Sequence, residues 1–517
     1  MQIEGMMKLD QFMNQTFLFC FLFIIINTME FNYFYKLPQE DWMNLMIMGI
    51  KAGYAHVFMD KAEYNGEEMI KIRSEMMIAL KRSGLLLQLS KTKEAYLGMD
   101  LLPRHFISTS NETGEDKLVE GKIENGTVTL RTTLSGKTTV ESKAIPTDIV
   151  FEEMLGFIAL SRGLKVGDQY DLNVFNLELL EPVKTTVAVA GEDVIDYNGE
   201  QKKVFVLDYT LDLMGGIQSR EWLGPDGTTY KMAMGAMGIE MLRTDKQTAL
   251  GEVGDVDVII NTKIFPQGEQ PESGSDYFKA RVTLSSGDLS QTFMNTERQK
   301  ISLGPDAKTG ILEVRTLAIS EQSAPSLPIT DRRNNPLPPF IPLNKGGQGV
   351  VNGELSEFLK TTMYVQADDE SIRKQAHKIV SSETNSWKAA MLICKWVHDK
   401  IWNKNLKVGF GSAKQTLASL EGDCTEHTVL FIALARAVGI PSRICAGLVY
   451  QRDAFYYHFW PEVYVGKWVS MEPTLGQIQA DATHIQLAGG KLESESALEF
   501  GEGVLRTLNR LQIERMQ

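Results

Sequence analysis

A chain of 517 residues is too long for one ordinary hydrophobic core, so two or three domains are expected. Apolar content of 43% with 23% charged residues describes a folded chain, and a net charge of −13 without any clustered excess of Lys and Arg excludes nucleic acid as a partner. Four cysteines are too few for a disulfide framework; with Cys20 set in an apolar run, Cys394, Cys424 and Cys445 remain, an odd number that leaves at least one thiol free.

The first feature along the chain is Phe17 to Ile26, an unbroken apolar run of ten residues. That is short of the roughly 20 residues a membrane-spanning helix needs and fits the apolar core of a secretory signal. The flanks are weak: Lys8 is the positive charge ahead of the run, Asp10 opposes it, and no small-residue cleavage pattern follows. Residues 1–41 are read as an export leader or membrane anchor, which implies a cell-envelope or exported location and membrane association through residues 17–26. The alternative is an unprocessed start on a cytoplasmic protein.

From Trp42 to Ser320 short runs rich in Val, Ile, Thr and Tyr, among them Thr127 to Thr133, Lys203 to Leu211 and Val256 to Thr262, alternate with turn pairs. Asn65-Gly66, Asn125-Gly126, Asn198-Gly199 and Asp226-Gly227 are hairpin signals, because both residue types tolerate positive φ. Residues 42–320 are therefore expected to form a large antiparallel, sandwich-like β region of one or two subdomains, interrupted by amphipathic helices near Glu67 to Lys81 and Ile149 to Ser161. YNGE occurs at Tyr64 to Glu67 and again at Tyr197 to Glu200; in so common a turn composition it reads as two hairpin tips rather than a duplication. The segment Arg220 to Gly227, REWLGPDG, reads as another hairpin. His56 and His105 have no partner at a useful spacing, so no chemistry is assigned to this region.

Six of the 17 prolines fall between Pro325 and Pro342, just ahead of Gly346-Gly347-Gln348-Gly349, and residues 321–350 read as a stiff, extended linker. Beyond it the period turns helical. Glu370 to Val380 fits one helix and Ser386 to Ile401 another, with Ala389, Ile393, Trp396, Val397 and Lys400 along one side. Residues 351–490 form one α+β domain in this reading, helices first and an antiparallel sheet after. Residues 491–517 follow as a helical tail whose apolar face is Leu498, Val504, Leu505, Leu508 and Leu511.

Inside that domain Gly422 and Asp423 end a loop, and Val429, Leu430, Ala433, Leu434 and Ala437 then recur at helical spacing. Asp423 is a good N-cap and Glu426 stands three residues on, the spacing of a capping box. Cys424 is thereby placed in the first turn, among unpaired backbone N–H groups whose dipoles favour a thiolate. Gly439 and Pro441 end the helix. A strand over Arg443 to Gln451, a tip at Arg452 to Phe455, a second strand through Tyr464 and a third at Lys467 to Met471 follow. Alternation puts His458, Trp460, Glu462 and Tyr464 on one face of the second strand, and Glu472 comes directly after the third. A thiol at a helix start, an imidazole on a nearby strand and a carboxylate beyond the next are the parts of a nucleophile, base and orienter system.

The order GDC, RAVGIPSR, HFWPEVYV and KWVSMEPT, within roughly Ser386 to Leu487, resembles the core of the transglutaminase-like superfamily. The resemblance implies a papain-like α+β fold with a Cys, His, Asp triad, in which Cys424 stands for the nucleophile and His458 for the base. Glu472 stands where the family usually has Asp, one methylene longer, and Asp481 is the reserve acid. The resemblance further implies cysteine-dependent acyl transfer on protein or peptide amides through a thioester, ending in hydrolysis or transamidation, without a cofactor. It does not reach the β-rich N-terminal region.

Two readings of other classes stand beside it. Cys394 with His398 and Cys424 with His427 form C-x3-H and C-x2-H pairs that would supply four zinc ligands. The Glu for Asp exchange, in turn, suits a degenerate enzyme kept as a binding or scaffolding module. Tyr456, Tyr457 and Trp460 either line a substrate groove or belong to the core. Cys394 and Cys445 read as small buried hydrophobes, and Arg436 and Arg443 as salt-bridge partners. No calcium loop of the D-x-[DN]-x-[DN]-G type occurs.

Overall fold

The computed structural model describes residues 37–82, 85–112, 116–134, 137–177, 179–212, 217–234, 238–254, 256, 262–327, 353–362, 364–403, 411–490 and 506–516. The apolar run at residues 17–26, most of Val256 to Thr262, the proline-rich stretch beyond Leu327 and residues 491–505 of the expected tail lie outside them. No described helix is long and apolar enough to cross a membrane. The chain forms two compact units, one reaching to residue 254 apart from the segments 79–88 and 112–114, the other from residue 255 onward.

In the first unit fifteen strands, from β1 (Gln39–Ile47) to β15 (Ile239–Thr244), form one sheet. β1 pairs with β15, and from that seam a meander runs outward both ways, ending at β8 (Lys137–Ala144) and at β9 (Ile149–Phe151). All four turn pairs close hairpins. Asn65-Gly66 joins β2 (Ile50–Tyr64) to β3 (Glu67–Arg82), and Asn125-Gly126 joins β6 (Asp116–Glu124) to β7 (Thr127–Leu134). Asn198-Gly199 joins β11 (Glu181–Tyr197) to β12 (Glu200–Leu211), and Asp226-Gly227 joins β13 (Ile217–Leu223) to β14 (Thr229–Met234). Both residues of each Asn-Gly pair have positive φ, as a two-residue hairpin turn demands. Both YNGE copies are thus hairpin tips.

The sandwich-like packing arises within a single sheet. Phe106 on β5 (Pro103–Glu112) meets Phe175 on β10 (Gln169–Asn176) with ring centroids 5.4 Å apart, so strands remote in the order share a core with Ile70, Val128 and Phe151. Glu67 to Lys81 is strand rather than helix: the tight turn forces Glu67 opposite Tyr64, and the ladder then runs to Ile78 opposite Gly53. Cross-strand pairing outweighs the helical preference of its Glu, Met and Lys residues. Within Ile149 to Ser161 the α-helix is confined to α1 (Leu155–Ser161), after β9 and a single 3-10 turn.

The second unit is layered. Helices α2 (Glu370–Val380), α3 (Ser386–Lys400), α4 (Ala413–Ser419) and α5 (Cys424–Ala437) share a core with a four-stranded antiparallel sheet. Its order is β21 (Trp468–Ser470), β20 (Ala454–Tyr464), β19 (Ser442–Gln451), β22 (Ile485–Gly490). Central α5 is enclosed along its length, with Val429 to Ala435 fully buried, which is why its sequence is apolar on more than one side. A second core joins this sheet to another, made of β17 (Gln299–Leu303), β18 (Thr309–Arg315), β16 (Tyr277–Leu284) and β23 (Leu511–Arg515). There Phe278, Val282, Leu312 and Ile513 pack with Leu448, Phe455 and Ile485.

Two expectations are corrected by this sheet. The division between units falls after residue 254 instead of at 321–350, because β16 to β18 belong to the second unit. The described end of the tail is strand β23, paired with β16 from Leu511 opposite Leu284 to Arg515 opposite Ala280, instead of a helix.

Gly447 lets β22 lie close against β19. A Cβ there would stand 2.0 Å from the Ile485 carbonyl oxygen and 2.8 Å from the Trp460 ring. Gly447→Ala is therefore expected to destabilise the second unit by about 2 kcal/mol, read as a lower urea midpoint for its transition; an unchanged midpoint would show that the two strands part freely.

Candidate active site

The position of Cys424 begins with the cap of α5. Asp423 accepts from the Thr425 N–H at 2.9 Å, and the Glu426 carboxylate reaches back to the Asp423 N–H at 2.9 Å, so both halves of the capping box are made. Gly422 permits this: its φ is +140°, and a Cβ on it would fall 2.4 Å from the Glu426 side chain. Burial, together with the charge of Asp423 beside it, pushes the Glu426 carboxyl up to about 8. Cys424 is the first residue of the helix, half-buried, with a free thiol. One turn on, Thr428 donates its hydroxyl to the Phe459 carbonyl at 3.2 Å. Because residues i and i+4 share a helix face, that bond turns the Cys424 side toward β20 beside His458.

His458 is buried on β20 and hydrogen-bonded to Glu472, and it feels Cys424 electrostatically. Its Nε2 stands 2.7 Å from Glu472 Oε2, which leaves Nδ1 as the nitrogen available to the sulfur. Desolvation pulls the imidazole down, but the charge and hydrogen bond of Glu472, with the influence of Cys424, outweigh it and raise His458 to about 9.

Glu472 has no solvent exposure. Burial alone would raise its carboxyl, yet the charge and hydrogen bond of His458, with those of His484, hold it well below the usual carboxylate range. Its Oε1 accepts from the backbone N–H groups of Thr474 and Leu475, each at 2.9 Å. Its Oε2 accepts from His458 and also from His484 Nε2 at 2.9 Å. The extra methylene relative to aspartate is taken up by these four donors, which pin both oxygens.

Asp481 does not reach His458. It faces the other nitrogen of His484, Oδ1 to Nδ1 at 3.1 Å, and accepts from Thr483 N at 2.9 Å, Gly274 N at 2.8 Å and Gln477 Nε2 at 2.9 Å. His484, a histidine the sequence pattern did not single out, is fully buried between the two acids. The available signal was its position three residues after Asp481 and directly before strand β22.

The proposed zinc quartet does not assemble. Cys394 Sγ points at the Gln477 carbonyl, 3.5 Å away, His398 Nδ1 donates to the Pro473 carbonyl at 2.9 Å, and His427 Nδ1 donates to the Asp423 carbonyl at 2.6 Å. Among the described residues, the potential metal-ligating atoms that converge, within 4.8 Å, are those of His458, Glu472 and His484, and the contacts of the two imidazoles with Glu472 are hydrogen bonds. Burial pushes Cys394 up to about 12, with the charge of Glu472 adding to it, and drives buried Cys445 well above the usual thiol range.

Trp460 is fully enclosed with Cys445 and Ala480, so it lines no groove. Tyr457 packs against the core between the two sheets with its hydroxyl 3.0 Å from Thr507 Oγ1, while Tyr456 donates to Asp453 at 3.2 Å. Arg443 pairs with Glu462 at 2.7 Å; buried Arg436 donates to the carbonyls of Ser442 and Lys360. In the first unit His56 lies 3.0 Å from Glu40 and stacks on Trp42, and His105 stacks on Tyr64.

A thiol at the start of a buried helix, set against an antiparallel sheet that presents an imidazole and a carboxylate, defines a papain-like fold. Residues 373–473, in the C-terminal part of the chain, match the family model of the Transglutaminase-like superfamily. Residues 39–237 match a family described as Protein of unknown function (DUF3108). An uncharacterized protein of Haemophilus influenzae is 34% identical over 99 residues, which are 18% of this chain and 27% of that protein. The chain thus spans about a quarter of the length of this curated relative. A Cytophaga hutchinsonii structure provisionally called a cysteine protease is similar at 17% identity and a TM-score of 0.30, over 46% of this chain and 82% of that one. A β-barrel-like protein of domain of unknown function DUF1849 from Brucella abortus is similar at 12% identity and a TM-score of 0.30, over 43% of this chain and 97% of that one.

Proposed function

We propose that the C-terminal unit performs cysteine-dependent acyl transfer on protein or peptide amides. The observation that carries this reading is the convergence of the Cys424 helix start on a buried imidazole whose far nitrogen is held 2.7 Å from Glu472. In the proposed cycle His458 carries the proton of Cys424, and the thiolate attacks the amide carbonyl. The Cys424 backbone N–H, at the helix start, is placed to steady the oxyanion. The C–N bond then breaks, the His458 proton goes to the leaving amine, and a thioester remains on Cys424. Water attacking the thioester gives hydrolysis; a second amine gives transamidation. An envelope location, resting on the apolar run at residues 17–26, is part of the same proposal.

The test is incubation of the full chain with a casein substrate and a fluorescent primary amine. Amine incorporation signifies transfer, and new N-termini or released ammonia signify hydrolysis. Either activity, lost in Cys424→Ala, is the expected result. Absence of both, together with tight capture of a peptide by the Cys424→Ala protein, would replace this reading with the binding-module one.

A further inference from the structure

His484 has a carboxylate on each side: Asp481 Oδ1 lies 3.1 Å from Nδ1 and Glu472 Oε2 lies 2.9 Å from Nε2. With Asp481 and Glu472 both held ionised, a neutral imidazole would turn a lone pair toward a carboxylate oxygen at no solvent exposure, so both contacts are hydrogen bonds only if the ring is doubly protonated. The oxygen that His484 holds is the same Oε2 that accepts from His458. The two rings are 5.8 Å apart between centroids, and the Trp460 indole meets His484 edge-on at 5.3 Å, fixing its plane.

We propose that His484, carried as a buried imidazolium between Asp481 and Glu472, is a positioning residue that fits a glutamate to the place where the family uses aspartate. It does so in two ways. Its N–H anchors the longer side chain so that Oε2 stays in line with His458. Its charge offsets part of the Glu472 charge, so that His458 can give up its proton to a leaving amine instead of being locked as an ion pair. Asp481, three hydrogen bonds removed from His458, acts through His484 rather than as an orienter itself. The other titratable groups facing this chain are Cys424 toward His458, Cys394 whose thiol feels Glu472, and buried Arg298, which donates to the Asp481 carbonyl at 2.7 Å. The proposal rests on the nucleophile and base reading above.

The test is the pH profile of Cys424 alkylation by iodoacetate, read by mass spectrometry, which needs no natural substrate. An anionic reagent reacts best while His458 is protonated, so the rate falls on the alkaline side as that proton leaves. His484→Gln retains an N–H donor for Glu472 but not the charge; with a positive neighbour gone, His458 holds its proton longer. The alkaline limb is expected to move up by roughly one pH unit with the plateau rate within about twofold of wild type. Asp481→Asn, which weakens the hold on the His484 proton, is expected to move it in the same direction by less. His484→Ala, lacking the donor as well, is expected to lower the plateau about tenfold as Glu472 swings free, and His484→Gln is the rescue of that loss.

Superimposed profiles for wild type, His484→Gln and Asp481→Asn, all with intact thermal unfolding transitions, would overturn the role of His484 while leaving the nucleophile and base in place. A wild-type profile without a plateau below pH 7 would overturn the acyl-transfer reading, and the positioning role with it.

Discussion

His458→Ala is expected to slow alkylation of Cys424 at pH 6 by about tenfold, while Cys394 and Cys445 stay unmodified in both proteins. An ordinary thiol is under about 1% ionised at pH 6, so a cysteine that reacts there has a counter-ion holding its thiolate. The net effect is smaller than the change in ionised fraction, because a thiolate stabilised by a neighbour is also a weaker nucleophile. His458 is suited to be that counter-ion, since Glu472 and Cys424 together keep it protonated to about pH 9. The two other described thiols are buried, and both are displaced upward, Cys394 to about 12. Equal labelling of all three cysteines in the native protein, or an unchanged rate in His458→Ala, would dissolve the pair.

Glu472→Gln is expected to destabilise the second unit by about 3–5 kcal/mol, because it strips the charge from a buried group that two imidazoles and two backbone amides converge on. The replacement amide would also direct its own N–H groups at donors. The pH dependence follows from the two displacements. Glu472 is depressed below its ordinary 4.5, so its contribution is complete above about 4.5 and is lost as pH falls through its folded value. His458 is raised from 6.5 to about 9, so its contribution is complete below about 6.5 and is lost as pH rises through 9. The gap between wild type and Glu472→Gln in a denaturant titration should therefore be widest between pH 4.5 and 6.5. A gap that is flat from pH 4 to 10 would show that the loss is one of packing alone. Glu472→Asp, which keeps the charge but not the reach, is expected to lose the smaller share.

Much of the site was legible because it is built from local rules. A capping box needs an acceptor and a Glu at fixed spacing, and Asp423 with Glu426 supplied both, so the thiol's place at the helix start was written in four consecutive residues. Alternation along one strand set His458, and the short third strand ending at Ser470 delivered Glu472 two residues on. His484 was not legible. Its contacts are made because β22 crosses back to pair with β19, placing it beside side chains from a neighbouring strand and loop, and no periodicity in its own segment reports that pairing.

By itself the sequence determined the hairpins, through Asn-Gly pairs that favour positive φ, the helix starts, through their caps, and the placing of Cys424 at one of those starts. It also set the order of Cys424, His458 and Glu472 along the chain. Tertiary structure decided what depends on contacts between distant segments. It turned Glu67–Arg82 into a strand because a hairpin partner was waiting, and it drew β16 to β18 and the C-terminal β23 into the second unit because their apolar faces are buried against β19, β20 and β22. It also gave Glu472 a second histidine. Local propensities amount to tenths of a kcal/mol per residue, whereas a shared core or a buried charge amounts to several, so burial prevails wherever the two conflict.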